Sequence, residues 1–500
     1  MPATLRQPGV YIEEVSSGVR TITGVATSIG LFIGWAPRGA TDGAVRLSSF
    51  SDYQREYGDL DRRSPLGFAV KAFFDNGGAD CYVIRVVGGT SVPASVPING
   101  NLTVAASSPG EWANVYSIRT TQRAAPDNTR FRLEVLDNSV TPAVVVETFE
   151  NLSMTDSDPR FAPNIINGHS SYIHVTATNA ATAPSDGVVD IDTGAGATAG
   201  VDAVLTINTN DFNTALLALF EVGAIADRID LFNIVCVPGE IDATTITTLQ
   251  GKCRARRAFL IVDADPAATV ASLNAGPTGL TQSDAMNSAI YFPWVRAPNP
   301  LANGALDNFP PCGYVAGVFA RTDSTRGVWK APAGTEASVN GAAGLAITMS
   351  DAENGQLNPL GINCLRTMPV YGNIVWGSRT LHGQNDRGSE WKYVPVRRLA
   401  LFLEESLYRG TQWVVFEPND EPLWAQIRLN IGAFMQGLFR QGAFQGSSPK
   451  DAYFVKCDRE TTTQNDINQG IVNIFVGFAP LKPAEFVVLK IQQIAGDIPT

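Results

Sequence analysis

Two short apolar runs on either side of one helical segment constrain the fold of this chain most. The runs LFNIVCV (231–237) and AFLIVD (258–263) have the length of strands that are buried on both faces, and residues 242–257 between them are typical of a helix. Two buried strands that are joined by a helix form a parallel βαβ unit, because a parallel pair needs a crossover connection. The sequence therefore predicts an α/β layer.

The same alternation of strands and helices extends over residues 21–87 and 206–365, which we assign to one α/β core. Its other predicted elements are a strand in 28–36, a helix from Ser64-Pro65 to Gly77-Gly78, a strand in 81–87, a helix near 213–226, and a strand in 288–298 that Pro293 interrupts.

Residues 88–205 have a different composition and interrupt this core. They are rich in Thr, Val, Ala, Asn and Ser, and they contain the alternating runs VYSIRT, FRLEVL and VVVETF. Alternation with a period of two is the pattern of half-buried strands. We interpret this segment as a β-rich outer insertion domain.

Residues 366–482 follow an α+β pattern. WKYVPVRRLALFLEESLYRG predicts a helix of about fifteen residues from its apolar stripe, and a second helix is predicted from Pro422 to about Arg440. Strands are predicted in 452–457 and 470–480. The predicted fold class is therefore an α/β core with a β-rich insertion and an α+β C-terminal domain.

The two ends of the chain, residues 1–20 and 483–500, are predicted to be extended arms. Each holds one short β-type run that lacks a local partner: Val10, Tyr11, Ile12 and Glu13 at one end, and Phe486, Val487, Val488 and Leu489 (within a strand predicted over 486–491) at the other. Such a strand must join a distant strand of its own chain or a strand of another chain, since a sheet edge offers unpaired N–H and C=O groups.

Charge divides the chain into two parts. The 500 residues carry 37 basic and 48 acidic side chains, a net charge of −11, but residues 366–500 are nearly neutral. This balance argues against binding to nucleic acid. The N-terminal residues lack the apolar stretch of a secretory leader, and no apolar run is long enough to span a membrane, so synthesis in the cytoplasm without membrane insertion is expected.

Reactive constellations are scarce. The six cysteines are scattered without C-x-x-C spacing, no phosphate-binding G-x-x-x-x-G-K-[ST] motif exists, and His169, His174 and His382 are expected to be ordinary polar residues. Asp263 and Asp265 lie where α/β enzymes place catalytic groups, although Asp265-Pro266 is also a common turn. We therefore predict no catalytic, cofactor or metal site. An α/β enzyme that uses these two aspartates is the minor alternative.

An ordered series of segments resembles the contractile tail sheath family of bacteriophages and related injection systems. The segments are PGVYIEEV, FIGWAPRG, AVKAFFDNGGADCYVIRV (69–86), SPGEWAN (108–114), RRAFLIVD (256–263), YFPWVRAP (291–298), PPCGYVAGVFARTDSTRGVWKAPAG (310–334), INCLRTMPVYGNIVWGSRTL and WKYVPVRRLALFLEESL. The similarity covers most of the chain and is weakest over 115–205.

This resemblance implies a structural subunit and not an enzyme. Sheath subunits form stacked hexameric rings around an inner tube, exchange terminal strands, and contract to drive the tube through a target envelope. The implied partners are further copies of the chain, the tube protein, and baseplate and terminator proteins. The implied location is a phage tail or a contractile injection particle. A self-assembling tube or shell that does not contract is the main alternative.

Basic residues of the two C-terminal helices are candidate contacts to an acidic tube. We single out Arg397, Arg409, Arg428 and Arg440. The competing interpretation is that they pair with nearby carboxylates such as those of Glu404 and Glu405.

Overall fold

The computed structural model describes residues 20–99, 101–123, 128–178, 180 and 182–490. These residues form two compact units. The core unit comprises Thr27–Thr325 and Pro332–Val394, and the C-terminal unit comprises Arg326–Ala331, the described part of Pro395–Thr500, and the residues up to Ala26 that the structure describes.

Strands occur along most of the described chain. In chain order they are β1 (Gly30–Gly34), β2 (Val45–Leu47), β3 (Cys81–Arg85), β4 (Ser95–Ile98), β5 (Leu102–Ala106), β6 (Tyr116–Gln122), β7 (Arg130–Asp137), β8 (Val144–Ser153), β9 (Ile173–Ala177), β10 (Gly187–Asp190), β11 (Ile234–Cys236), β12 (Phe259–Asp263), β13 (Ser288–Phe292), β14 (Val295–Pro298), β15 (Leu306–Phe309), β16 (Gly344–Leu345), β17 (Ile362–Met368), β18 (Gly372–Val375), β19 (Tyr453–Lys456) and β20 (Phe475–Phe478).

The α-helices of the same residues differ widely in length. They are α1 (Phe50–Tyr57), α2 (Leu66–Asp75), α3 (Ala162–Ile166), α4 (Asn210–Ala218), α5 (Ala243–Ala255), α6 (Val270–Leu273), α7 (Cys312–Arg326), α8 (Asp351–Leu357), α9 (Val394–Gly410), α10 (Glu421–Arg440), α11 (Pro449–Ala452) and α12 (Gln464–Asn468).

An eight-stranded sheet organises the core unit, with the order β18-β17-β13-β12-β11-β1-β3-β2. The six inner strands are parallel, and β2 and β18 are antiparallel edge strands. β11 and β12 flank α5 and pair in parallel, which confirms the predicted βαβ unit. Every residue of β1, β11, β12 and β13 is buried, because helices and loops cover both faces of a parallel sheet.

The predicted helix boundaries are confirmed in part. α2 ends at Asp75, directly before the predicted Gly77-Gly78 stop, where Gly77 has φ +110°. The helix predicted near 213–226 is misplaced, since α4 covers Asn210–Ala218. The Thr209 hydroxyl caps α4 by accepting from Phe212 N at 3.4 Å, and Gly223 with φ +77° lies in the turns that follow the helix.

Helices α2 and α7 approach closely at two glycines of α7. A Cβ atom on Gly317 would lie 2.6 Å from the carbonyl oxygen of Phe73, and one on Gly313 would overlap the backbone of Ala69. Only glycine fits at such a distance.

Two antiparallel sheets follow β3 in sequence. One has the order β10-β6-β7-β8 and the other β4-β5-β9, and they share one apolar cluster. The chain leaves and returns at neighbouring positions, because Gly88 N donates to Ala203 O at 2.9 Å and Val92 N donates to Val201 O at 3.2 Å. The predicted β-rich character of this segment is therefore confirmed.

Arg85, the last residue of β3, is buried and connects the segment that follows β1 with Pro109 of the inserted segment. Its guanidinium donates to the carbonyl oxygens of Ala36 (2.7 Å), Gly39 (2.9 Å), Pro37 (2.9 Å) and Pro109 (2.8 Å). Burial lowers its pKa to about 10, so the side chain stays charged at neutral pH.

The C-terminal unit has α9 and α10 at its centre. The Phe402 and Phe434 rings lie 6.1 Å apart between the two helices, and β19 and β20 form an antiparallel pair. Both predicted long helices are confirmed, as are strands within 452–457 and 470–480. Residues 486–490, where a strand is predicted, form no ladder with another described segment and are therefore not a strand within the described residues.

Candidate functional site

The C-terminal segment is the most exposed apolar stretch among the described residues. Phe486, Val487, Val488 and Leu489 have relative exposures of 73%, 78%, 78% and 82%. Four consecutive exposed apolar residues are unusual for a surface in water and are typical of a segment that binds a partner. Their pairing with another chain stays a prediction.

The other predicted arm strand, Val10, Tyr11, Ile12 and Glu13, lies outside the described residues. The described chain begins at Arg20, whose N donates to Asn430 Oδ1 at 3.3 Å and whose guanidinium lies 4.7 Å from the centre of the Trp413 ring. Val25 N donates to Ser406 Oγ at 3.2 Å, and Ile22 is buried in the same apolar cluster as Leu399. This segment is therefore fixed against α9 and α10.

One face of the β19–β20 sheet packs against α10, and the other face is open to solvent. Tyr453 faces α10, where its hydroxyl donates to Gln436 Oε1 at 2.9 Å. The opposite face carries Phe454 and Phe475, which are 59% and 56% exposed, and the Phe454 ring covers Gly477. This sheet has only two strands within the described residues, so it can accept a further strand.

Three of the four candidate arginines form ion pairs within the unit. Arg397 pairs with Glu404 at 3.1 Å, Arg409 with Glu405 at 2.7 Å, and Arg428 with Glu421 at 2.6 Å. Arg440 is exposed and has no ion pair among the residues that the structure describes. Arg397 and Arg409 therefore pair with Glu404 and Glu405, the two carboxylates that the competing interpretation named. A role of any of the four in tube binding remains a prediction.

An exposed aromatic residue that the sequence did not single out lies between α9 and α10. The Phe416 side chain is 103% exposed and its backbone has φ +70°, a left-handed conformation that is rare for aromatic residues. The turn is held by Val415 N donating to Gln412 O (3.2 Å) and Glu417 N to Val414 O (3.1 Å). The sequence feature that could have indicated this exposed residue is the apolar run WVVF (413–416), which lies in the connection between two predicted helices.

Asp263 and Asp265 have structural roles in this chain. Asp263 is buried, and its carboxylate accepts from Gly239 N at 2.9 Å and from Cys312 N, at the start of α7, at 2.7 Å. Burial raises its pKa to about 6, against the opposing effect of these hydrogen bonds. Asp265 forms the alternative turn, since its Oδ1 accepts from Ala267 N at 2.8 Å.

The histidines lie at exposed or half-buried positions, and the cysteines are buried, with Cys236 Sγ donating to Cys312 O at 3.7 Å. His169 and His174 are exposed on a turn and on β9, and His382 Nδ1 lies 2.7 Å from Ser389 Oγ. Burial lowers the pKa of His382. All six cysteines are free and buried. Within the described ranges, no cluster of three or more His, Cys, Asp or Glu side chains has metal-binding geometry, and no helix is long and apolar enough to cross a membrane.

Two family models match the sequence in consecutive regions. The family described as phage tail sheath protein central domain matches residues 224–381, and the phage tail sheath C-terminal domain matches residues 386–494. Together the two matches cover more than half of the chain.

Curated relatives are also tail sheath proteins. A putative prophage major tail sheath protein of Pseudomonas aeruginosa is 25% identical over 259 residues, which are 50% of this chain and 62% of the relative. The tail sheath protein of Vibrio phage KVP40 is 26% identical over 191 residues, 38% of this chain and 27% of the relative. The matches therefore span less than two thirds of either relative.

Solved structures match over nearly the whole length. The sheath complex of the extracellular contractile injection system PVC, in its contracted state, has a TM-score of 0.61 and 24% identity and covers 99% of both chains. A sheath tail protein of Listeria innocua has a TM-score of 0.62 and 14% identity, with 92% and 96% coverage. These similarities show that the fold is shared. Together with the family matches, they show that the chain belongs to the contractile tail sheath family.

Proposed function

We propose that this chain is the structural subunit of a contractile sheath. Its subunits would form stacked hexameric rings around an inner tube and contract to drive the tube through a target envelope. The observation that carries this proposal is the combination of a two-stranded sheet and an exposed apolar segment, Phe486–Leu489, in one unit of a sheath-family chain. The partners would be other copies, the tube protein, and baseplate and terminator proteins.

Strand donation is the linking step of this proposal. Each copy offers the β19–β20 sheet as an acceptor and its terminal segment as a donor. Pairing would satisfy the free N–H and C=O groups of the sheet edge, with each backbone hydrogen bond worth about 0.5–1.5 kcal/mol net. It would also cover Phe486 and Val488, which face water in the single chain. Because donor and acceptor differ, the contact is head-to-tail, and such contacts can link many copies in series, within a ring or from ring to ring.

The links would persist while the rigid bodies of the subunits rearrange. Contraction between two packings of rigid bodies needs no nucleotide, since the energy is stored when the sheath assembles in its extended form. Arginines on α9 and α10, above all the exposed Arg440, which has no ion pair with another described residue, are our proposed contacts to the tube.

Val487→Pro tests strand donation. Val487 is 78% exposed, so we expect the subunit to fold normally. Proline lacks the N–H that a ladder needs and therefore blocks pairing. Negative-stain electron microscopy should show tubes with sixfold symmetry for the unaltered chain and few or none for the variant.

Val487→Thr is the matched control, because threonine keeps the N–H and the β-branched shape and should polymerise. Tubes formed equally well by Val487→Pro would disprove donation from this segment. A single unchanging lattice under contracting conditions would instead favour a tube that does not contract.

A further inference from the structure

The segment that precedes the core sheet in sequence packs against α9 and α10 of the C-terminal unit. A Cβ atom on Gly24 would lie 2.8 Å from the Phe402 ring of α9 and 3.8 Å from the Phe434 ring of α10. A Cβ atom on Gly410, the last residue of α9, would lie 2.6 Å from Ile22. Followed toward the N-terminus, this segment therefore runs along α9 toward the carboxyl end of that helix.

Arg20 makes the next contacts along this path. Its N donates to Asn430 Oδ1 at 3.3 Å, and its guanidinium lies 4.7 Å from the centre of the Trp413 ring. Trp413 belongs to the connection after α9, and Asn430 lies in the middle of α10. Because the chain is continuous, the residues that precede Arg20 enter the unit beside these two side chains.

Both side chains carry a buried donor that lacks an acceptor. Trp413 Nε1 and Asn430 Nδ2 are shielded from water and donate to no other residue that the structure describes, and Asn430 is only 3% exposed. By contrast, Trp424 Nε1 of the same unit donates to Asn419 Oδ1 at 2.9 Å. A buried donor without an acceptor lowers the stability of the folded state. Acceptors are therefore expected beside Arg20.

The chain itself can supply these acceptors. Residues 16–19, with the sequence SSGV, directly precede Arg20, and each has a backbone carbonyl oxygen. In an extended segment, every second residue directs its N–H and C=O groups to the same side. Because Arg20 N–H faces α10, the carbonyl oxygen of Gly18 would face α10 as well. Glycine has no side chain that would prevent a close approach of the backbone.

A group of another chain fits this place less well. It would have to enter where residues 16–19 of the same chain arrive through their covalent link to Arg20. An occupant that is already tethered also loses less entropy on binding than a separate partner does.

We propose that Trp413 and Asn430 form a clamp whose two donors bind backbone carbonyl oxygens of residues 16–19. The clamp would fix the place where the predicted N-terminal arm leaves the C-terminal unit. This inference rests on the proposed function, in which that arm links neighbouring subunits.

The clamp would also limit the reach of the arm. Five residues separate Glu13, the last residue of the predicted arm strand, from Gly18. At about 3.4 Å per residue, the strand can begin no further than about 17 Å from the clamp. Only a neighbouring copy whose sheet edge lies within this distance could accept the strand.

Hydrogen–deuterium exchange of the unpolymerised full chain, read by mass spectrometry, tests the clamp. Arg20→Gln is made first, because it removes the contact between the guanidinium and the Trp413 ring, and Arg20 is exposed. Adding Trp413→Phe then removes the indole N–H and keeps an aromatic ring. Amides of residues 17–25 should exchange about fivefold faster after this second change, because opening of the segment no longer breaks that hydrogen bond.

Two controls separate the clamp from a general loss of stability. Exchange in β12 of the core unit should be unchanged, and Trp376→Phe, at an exposed position of that unit, should leave residues 17–25 unaffected. Equal exchange of residues 17–25 with and without Trp413→Phe, or an equal acceleration in β12, would overturn the proposal. Tube formation is a separate measurement, so failure of the clamp and failure of the proposed function can be told apart.

Discussion

Arg85 and Asp263 are buried charged residues that form hydrogen bonds with the backbone. Arg85 donates to four carbonyl oxygens around the β1–β3 junction, and Asp263 accepts from the N–H groups of Gly239 and Cys312. Backbone groups that would otherwise be buried without partners are satisfied in this way. Such residues connect loops that the sheet alone does not hold, so their charged groups have a structural role.

The raised pKa of Asp263 makes the stability of the core unit depend on pH. The folded value is about 6 and the value for an unperturbed aspartate is 3.8, so the folded state binds more protons between these values. The free energy of unfolding should therefore fall as pH rises from about 4 to above 6, by about 3 kcal/mol at most from this group. Urea unfolding of the unaltered chain and of Asp263→Asn at pH 4.5 and 7.5 measures this effect. A difference between the two proteins that does not change with pH would contradict it.

Phe416 combines backbone strain with complete exposure, so its replacement separates folding from assembly. Phe416→Gly should change the free energy of unfolding by no more than about 1 kcal/mol, because glycine adopts φ +70° without strain and no buried area is lost. Tube formation should weaken if the ring is a contact between proteins. Phe416→Tyr keeps the ring and should assemble normally. Sedimentation of polymers measures both variants, and normal assembly of Phe416→Gly would show that the ring makes no contact.

At the scale of secondary-structure elements, the pattern of apolar and turn residues along the sequence predicted the strands and helices of the core but not their arrangement. Apolar runs such as AFLIVD predicted β12 because strands of a parallel sheet are buried on both faces. The position of β1 between β11 and β3 depends on contacts between distant segments, which no local pattern reports.

Glycines in two helices provide a test of packing at this scale. Gly317→Ala in α7 should lower the free energy of unfolding by about 2 kcal/mol, because its Cβ would lie 2.6 Å from Phe73 O and α2 and α7 would have to separate. Gly432→Ala in α10 is the control, since no atom lies within 4 Å of the added Cβ. It should raise stability by up to about 1 kcal/mol through helix propensity. Equal effects of the two changes in denaturant unfolding would refute the close approach.

At the scale of the whole molecule, the distribution of charge fits a subunit with two kinds of surroundings. Residues 1–365 carry 23 basic and 35 acidic side chains, a net charge of −12, while residues 366–500 have 14 basic and 13 acidic side chains, a net charge of +1. Repulsion between acidic surfaces keeps the subunit soluble, and a nearly neutral part can approach an acidic partner.

Arg440 is the residue through which this charge distribution can be tested. Arg440→Glu should leave polymers of the sheath subunit alone intact and abolish co-sedimentation with the tube protein. Lys450→Glu reverses the charge of another exposed residue in the same unit and should retain both properties. Binding of the tube by Arg440→Glu at the level of the unaltered chain would exclude this contact.

The junction between Gly88 and Ala203 has a consequence for how such chains diversify. Because Gly88 N and Ala203 O are 2.9 Å apart, the segment between them begins and ends at one point of the core unit. A replacement of any length that brings its ends equally close can occupy this position without moving β3 or α4. The junction therefore allows the inserted segment to be replaced as a whole without a change in the fold of the core unit.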